Sequence, residues 1–410
     1  MVLSKLFGHI DNQKESVIHW QREMTARPAM GPENGGVGEL EKAVWLEQEL
    51  SQIGLTDIRR VDSPDPRVPC GFRPNIVAVL PGKSPRTLWT IGHMDVVPPG
   101  DESLWSGSPY SLRVEDDLVY GRGVEDNQQA IVTSMLAAQA LIAKGIVHEL
   151  SLGMLFVADE ETGMTHGLPH ILAAEPQLIG PDDLVLVSDM GNHEGSMVEI
   201  AEKGCLWLQI TITGKQCHAS TPDKGINSLI VASACVMELE SLYRIFRDKD
   251  PLYSPAWSTF VPSKKEANVE NVNTLPGKDV FFLDCRVLPQ YDIDNVTEKV
   301  REIVTGVAAR YGATAEVAIV NREQAPQPTS PEAPVVRSLV KALEEHRGIQ
   351  PRICGVGGQT VSACLRKEGI PAVVWGTLMP NAHVPNECSR ISATLADAKI
   401  LLAMLFDSNG

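Results

Sequence analysis

At 410 residues with 43% hydrophobic content, the chain is long enough for two or three domains with cores of their own, which excludes small disulfide scaffolds and intrinsic disorder. A formal charge of −16, from 36 Lys+Arg against 52 Asp+Glu, argues against a nucleic-acid partner whose phosphates must be neutralised. The longest apolar stretch, Ala130 to Ala143, is broken by Thr133, Ser134 and Gln139 and is too short for a bilayer, so no membrane partner is expected. The first residues, with Lys5 inside what would have to be an apolar core, do not read as a secretory signal, and the cytoplasm is the expected location. Eight cysteines, from Cys70 to Cys388, include no CxxC pair and read as small buried hydrophobes, not as bridges or thiolate zinc ligands.

In chain order, short apolar runs at Thr87 to Ile91, Leu150 to Ala158 and Leu184 to Val187 alternate with helical patterns, which predicts a mainly parallel sheet with helices on both faces. The clearest helix runs from Asn127 to Lys144 and stops at Gly145. From Cys205 the period changes. Leu206, Leu208, Ile210 and Ile212 alternate with Trp207, Gln209, Thr211 and Thr213, the behaviour of an antiparallel strand with one wet face. A helix starting near Asn227, a strand over Val280 to Val287 and a second helix repeating Val296, Val300, Ile303, Val304 and Val307 complete a smaller α+β insert. The segment Ala325 to Pro334 reads as the linker back. The expected fold class is therefore α/β with a catalytic domain in two parts, 1–204 and 323–410, interrupted by an α+β domain at 205–322 with an antiparallel sheet and two helices.

The chemistry gathers at strand ends. The run Thr87 to Ile91 leads into Gly92-His93-Met94-Asp95, the second run into Asp159-Glu160-Glu161-Thr162-Gly163, and the third into Ser188-Asp189-Met190-Gly191. Open α/β sheets place their sites beyond the carboxyl ends of strands. Gly121-Arg122-Gly123-Val124-Glu125-Asp126-Asn127 sets Asp126 at the mouth of the long helix, and Asn381-Ala382-His383-Val384-Pro385-Asn386-Glu387 supplies a second histidine. Taken singly, each has a plainer reading: Asp126 as a helix cap, the histidines as loop or core residues, Glu160-Glu161 as a solvated turn. Together, two imidazoles and three carboxylates without thiolate make a ligand set for two borderline divalent metals at a hydrolytic site. Asp126 is best placed to bridge. Glu160, directly before the candidate ligand Glu161, suits a general base acting on a metal-bridging water, and Asp95 could accept the second ring N–H of His93.

The motifs GHMDVV, GRGVEDNQQ, DEETG, SDMGN and NAHVPNE, in this order, resemble the di-zinc metallopeptidase and deacylase family of acetylornithine deacetylase, succinyl-diaminopimelate desuccinylase, aminoacylase, glutamate carboxypeptidase and related dipeptidases. The resemblance implies one metal on His93 and Asp189, the other on Glu161 and His383, with Asp126 between them. It implies Glu160 as the base, Asp95 as the residue orienting His93, and a cis peptide after Asp126. It further makes the insert a lid or dimerisation domain, so that a homodimer is expected. In that domain, His218 of Gly214-Lys215-Gln216-Cys217-His218-Ala219-Ser220 reaches the partner subunit's active site and polarises the scissile carbonyl. Arg286, on the same side of its strand as Phe282 and Asp284, is implied to hold the substrate carboxylate, and Asn273 to contact substrate from the lid.

Two departures bear on the substrate. Asp189 replaces the Glu of the family's deacylases and is more typical of its dipeptidases and aminopeptidases, whereas the length and compact insert resemble the deacetylase and desuccinylase branch. Gly355-Val356-Gly357-Gly358-Gln359-Thr360 replaces a Gly-Gly-Thr-Asp pattern, yet it precedes a helix, so Gly357 and Gly358 are candidate anion-binding amides. The expectation is a cytoplasmic hydrolase with two divalent ions per subunit, zinc first and cobalt or manganese as alternatives. It cleaves the amide bond of a small N-acyl amino acid or dipeptide with a free carboxylate. A catalytically silent metal- or ligand-binding protein is the alternative, and a redox enzyme lacks a CxxC pair or dinucleotide fingerprint.

Overall fold

The computed structural model describes residues 2–407, and they divide into two units: residues 1–200, 329–353 and 360–410 form the first, and 201–328 with 354–359 the second. The second unit therefore begins four residues earlier and ends six later than the insert expected from periodicity, and it takes in the glycine-rich segment that the sequence assigns to the catalytic part.

The first unit is built on a sheet of eight strands in the order Asp57–Arg60, Ile76–Leu80, Ser151–Val157, Thr87–His93, Leu184–Val187, Ala372–Val374, Met197–Glu202, Arg352–Val356. The four central strands, from Ser151–Val157 to Ala372–Val374, run parallel. Beyond them Ile76–Leu80 and Asp57–Arg60 pair antiparallel on one side, and Met197–Glu202 on the other. The sheet is thus parallel at its centre and mixed at its edges. The edge strands are short, and Asp57–Arg60 is largely solvent-exposed, so they lack the continuous apolar runs that mark a strand buried on both faces.

Helices cover both faces of the central strands. Gln128–Lys144 is apolar nearly all round and buried along most of its length, as a helix must be when it lies between a sheet and further helices. It packs against Thr87–His93 on one side and against Ile391–Leu405 on the other. On the opposite face Trp89, Ile91, Leu155, Val157, Val185 and Val187 meet Leu168 and Ile171 of the helix Leu168–Ala174 and Leu365 of the helix Ser362–Lys367. The alternation along each strand thus feeds two cores, one per face.

The second unit is a four-stranded antiparallel sheet in the order Thr259–Lys265, Lys278–Val287, Gly204–Thr213, Thr314–Glu323. Its central ladder pairs Gly204 with Val287 through to Thr213 with Lys278. Leu206, Leu208, Ile210 and Ile212 are buried against Val231 and Cys235 of the helix Ser228–Leu239 and against Val296, Val300 and Val304 of the helix Ile293–Arg310. Both helices and both central strands lie where the sequence predicts. The two outer strands are additional; their side chains are mostly exposed, which removes the one-sided apolar signal.

One close approach sets the spacing at the sheet centre. Trp89 and Gly153 are register partners, and a methyl group on Gly153 would come within 2.2 Å of the Trp89 ring. Gly153→Ala is expected to destabilise the first unit by about 1–3 kcal/mol through overpacking, read as a lowered urea midpoint with a shifted tryptophan emission. An unchanged midpoint would show that Trp89 does not fill that space.

Candidate metal centre

Three parallel strands end at one edge of the sheet and deliver side chains there. His93 is the last residue of its strand, opposite Val157, and Ile91 lies opposite Val187. Asp189 follows the third strand by two residues, and Glu160 and Glu161 follow the second by three and four. Asp126 stands just ahead of the helix Gln128–Lys144, whose cap residue is Asn127, so Asp126 is not its N-cap. The peptide bond between Asp126 and Asn127 is cis, as the resemblance implies. His383 arrives from a loop before the last helix and sits at φ 64°, a left-handed conformation that a non-glycine residue adopts at a cost of order 1 kcal/mol or more.

These side chains converge. The Nε2 of His93 lies 2.9 Å from Asp126 Oδ1 and 3.5 Å from Asp189 Oδ1. The Nε2 of His383 lies 3.1 Å from Asp126 Oδ2, and 3.2 and 3.1 Å from the two carboxylate oxygens of Glu161. Two triads result, His93–Asp126–Asp189 and Asp126–Glu161–His383, each with ligand atoms within 4.8 Å of one another. They share Asp126, one oxygen turned to each imidazole. Tetrahedral bonds of about 2.0–2.2 Å to such donors put neighbouring ligand atoms roughly 3.3–3.6 Å apart, close to the spacings found here.

Other residues hold this arrangement, and they were not singled out from the sequence. The Asn127 side chain donates to Asp189 Oδ1 (2.9 Å) and to the Ser188 carbonyl (2.8 Å), while its oxygen accepts the His93 amide (3.3 Å). Glu387, fully buried, accepts the amides of Gly123, Glu125 and Asp126 at 2.9–3.1 Å and pairs with Arg122 at 2.6 Å. Both stand inside quoted motifs, but neither has a residue type that announces a backbone-holding role. Asp95 behaves differently from expectation. The Nδ1 of His93 points at the Asp95 backbone carbonyl (3.0 Å), with the carboxylate farther away at 3.5 Å. Since a carbonyl can only accept, Nδ1 carries a proton and Nε2 is the nitrogen left for a metal.

Charge explains the titration of the group. Four carboxylates, Asp126, Glu160, Glu161 and Asp189, face two imidazoles, and among the described residues no lysine or arginine is ion-paired with any of the four. Burial disfavours charge on His93, yet the neighbouring carboxylates of Asp126, Asp189 and Asp95 outweigh this and hold its pKa well above the usual value. Hydrogen bonds to Asp126 and Glu161 raise His383 to about 10. Burial lifts Glu161 to about 7 and, together with the neighbouring charge of Asp189, lifts Glu160 well above the ordinary carboxylate range. Asp126, despite burial, is held low by the two imidazoles. Carboxylates that raise both imidazoles mark a place where positive charge is stabilised, and an N/O donor set without thiolate suits divalent cations.

The remaining candidates belong to the second unit. His218 is exposed and its Nδ1 accepts from the Ser220 amide (3.1 Å) and lies 2.7 Å from the Ser220 hydroxyl. Asn273 is exposed, and its carbonyl accepts the Ala219 amide at 2.8 Å. Arg286 gives its Nε and Nη2 to Asp284 (2.9 and 3.1 Å) and its Nη1 to the Gly357 carbonyl (3.1 Å). Gly357 therefore meets Arg286 through a carbonyl, and the helix after Gly358, Ser362–Lys367, has only six residues, too short for the anion-binding terminus expected of it.

Comparison with known proteins places these observations in a family. Residues 89–407 match the model described as peptidase family M20/M25/M40. An uncharacterised metallohydrolase of Methanococcus maripaludis is 34% identical over 95% of this chain and 99% of its own length, and one of Methanocaldococcus jannaschii is 34% identical over the same shares. The fold is shared with human carnosine dipeptidase 1 (TM-score 0.77, 16% identity, 99% of this chain and 98% of that one) and with the di-peptidase Dug1p of Saccharomyces cerevisiae (TM-score 0.75, 18% identity, 98% of each chain). No helix among the described residues is long and apolar enough to cross a membrane. With a family model covering most of its length and relatives aligned almost end to end, the chain belongs to peptidase family M20/M25/M40 and is a metal-dependent hydrolase.

Proposed function

We propose that the protein hydrolyses the amide bond of a small dipeptide or N-acyl amino acid with a free carboxylate. The observation that carries this reading is Asp126, whose two oxygens face the two imidazoles while Glu160 stands in the same charge cluster. His93 and Asp189 would hold one divalent cation and Glu161 and His383 the other, with Asp126 shared. Cations bound there, zinc by preference with cobalt or manganese as alternatives, would polarise the substrate carbonyl and acidify the attacking water. Glu160 takes the proton of that water and delivers it to the leaving nitrogen. As a carboxylate Glu160 can accept that proton, and as the resulting acid it can protonate the amine.

The free carboxylate is supported by Arg286. A guanidinium has five N–H donors; Asp284 accepts two and Gly357 one, which leaves one on each Nη for a bidentate anion. A preference for dipeptides is supported by Asp189 and by the names of the solved neighbours, which include two dipeptidases. We take the second unit to be a lid and dimerisation domain, with His218 completing the partner subunit's site and Asn273 touching substrate. All eight cysteines are free, in keeping with a cytoplasmic location.

Glu160→Gln is expected to keep the metal stoichiometry while lowering turnover of a dipeptide panel by roughly 10²–10⁴-fold, whereas Glu161→Gln loses metal. Near-full turnover by Glu160→Gln would show that the base lies elsewhere. Because the carboxylates keep both imidazoles protonated at pH 7, metal loading must displace protons. Calorimetry in buffers of different ionisation enthalpy should register their release, and affinity should fall about tenfold per pH unit for each proton displaced as the solution is acidified. Loading without proton release would contradict the ligand assignment. For the lid, mixing inactive His218→Ala and Glu160→Gln chains under conditions of subunit exchange should restore up to about a quarter of wild-type activity, since roughly half of the dimers are mixed and each carries one complete site. No recovery despite proven exchange would exclude a site shared between subunits.

A further inference from the structure

Asp95 is almost fully buried, at 1% exposure, and its backbone and its side chain face different partners. The carbonyl serves the His93 ring, as described above. The carboxylate serves two consecutive amides: Oδ1 accepts the N–H of Glu160 at 3.1 Å and Oδ2 that of Glu161 at 3.0 Å. Successive N–H groups aimed at one anion form a backbone nest, an arrangement that fixes the peptide between them. The segment before Asp95 is fixed as well. Lys42, also 1% exposed, donates to the Met94 carbonyl at 2.7 Å and shares an electrostatic neighbourhood with Asp95, Glu39 and Glu387. The far side of the acidic loop is closed by Asp159, whose carboxylate accepts from the Thr162 hydroxyl (2.6 Å) and the His166 amide (3.0 Å).

A small rotation of the Glu160–Glu161 peptide would carry both side chains away from the imidazoles. Anchoring both amides to the residue two places after His93 ties the acidic loop to the end of the central strand. We propose that the Asp95 carboxylate, which also stands 3.5 Å from the His93 ring, is the positioning residue for Glu160 and Glu161. The significance of those two glutamates rests on the function proposed above; the hydrogen bonds themselves do not.

Asp95→Asn conserves volume, leaves the carbonyl to His93 and turns an NH₂ group towards one of the two amides. Zn²⁺ would be titrated into the full chain against a chelating indicator in two backgrounds. In Asp189→Ala, which leaves Asp126, Glu161 and His383, adding Asp95→Asn is expected to weaken binding at least about tenfold, as removal of a partner behind a ligand does. In His383→Ala, which leaves His93, Asp126 and Asp189, the added loss should be at least about threefold smaller than in the first background. The reverse order, or equal losses, would overturn the proposal. Amide hydrogen exchange of the metal-free wild type is independent of metal and of activity. The Glu160 and Glu161 amides should exchange at least roughly a hundredfold more slowly than open-loop amides, and Asp95→Asn should abolish this. Rapid exchange of both in the wild type would overturn the proposal even if Asp95→Asn does not fold. A wild type that binds no Zn²⁺ would defeat the zinc assignment of the proposed function and leave the exchange result to decide the clamp.

Discussion

The structure of the first unit turns on holding like charges together. Four carboxylates gathered around two imidazoles repel one another strongly in a setting drier than bulk water, and the two imidazoles offset only part of that repulsion. Most of the remaining restraint comes through backbone amides. Glu387 grips three amides around Asp126, the Asn127 amide holds Asp189, and the carboxylate of Asp95 holds the amides of both glutamates. Each of these acceptors is in turn buried, and buried cations stand behind them: Arg122 on Glu387, Lys42 near Asp95, and Arg73 paired with Glu39 and 3.6 Å from Asp159. The positive charge that compensates the fold is thus kept one layer away from the centre. A lysine or arginine among the ligands themselves would neutralise the carboxylates and compete with a cation for them.

The second unit also fixes a charged side chain through neighbouring acceptors. A long arginine side chain loses considerable freedom when its guanidinium is held in one plane, as that of Arg286 is. Asp284 and the Gly357 carbonyl fix that plane within the unit itself. Gly355 contributes by its lack of a side chain, since a methyl group there would come within 2.4 Å of the Tyr253 ring, and the closeness keeps the glycine-rich segment against the body of the unit.

Much of this was legible in the residues, for physical reasons that can be named. Parallel strands buried on both faces write continuous apolar runs, so the three strands that lead into His93, the acidic pair and Asp189 stood out, whereas Asp126 and His383 were legible from their motifs alone. The alternation of Leu206 to Ile212 likewise separated the inserted unit. Edge strands such as Asp57–Arg60 and Thr314–Glu323 are mostly wet and carry no such pattern. Asn127, Glu387 and Lys42 act on backbone groups, which every residue possesses, so their residue types do not signal the role. Asp95 shows the same limit from the other side. Its position two residues after His93 predicts proximity to the ring, but only coordinates distinguish its carbonyl from its carboxylate.

The order of these parts along the chain has a consequence for biosynthesis. His93, Asp126, Glu161 and Asp189 are all made before the second unit begins, but His383 and the Glu387 that grips the Asp126 amide come after its last residues, 354–359. A polypeptide still attached to the ribosome, with the second unit already folded, would carry the acidic cluster without its second imidazole and without the carboxylate that pins the loop ahead of the long helix. Assembly of the cluster is therefore tied to synthesis of residues 383–387, and chains terminated before them lack both groups.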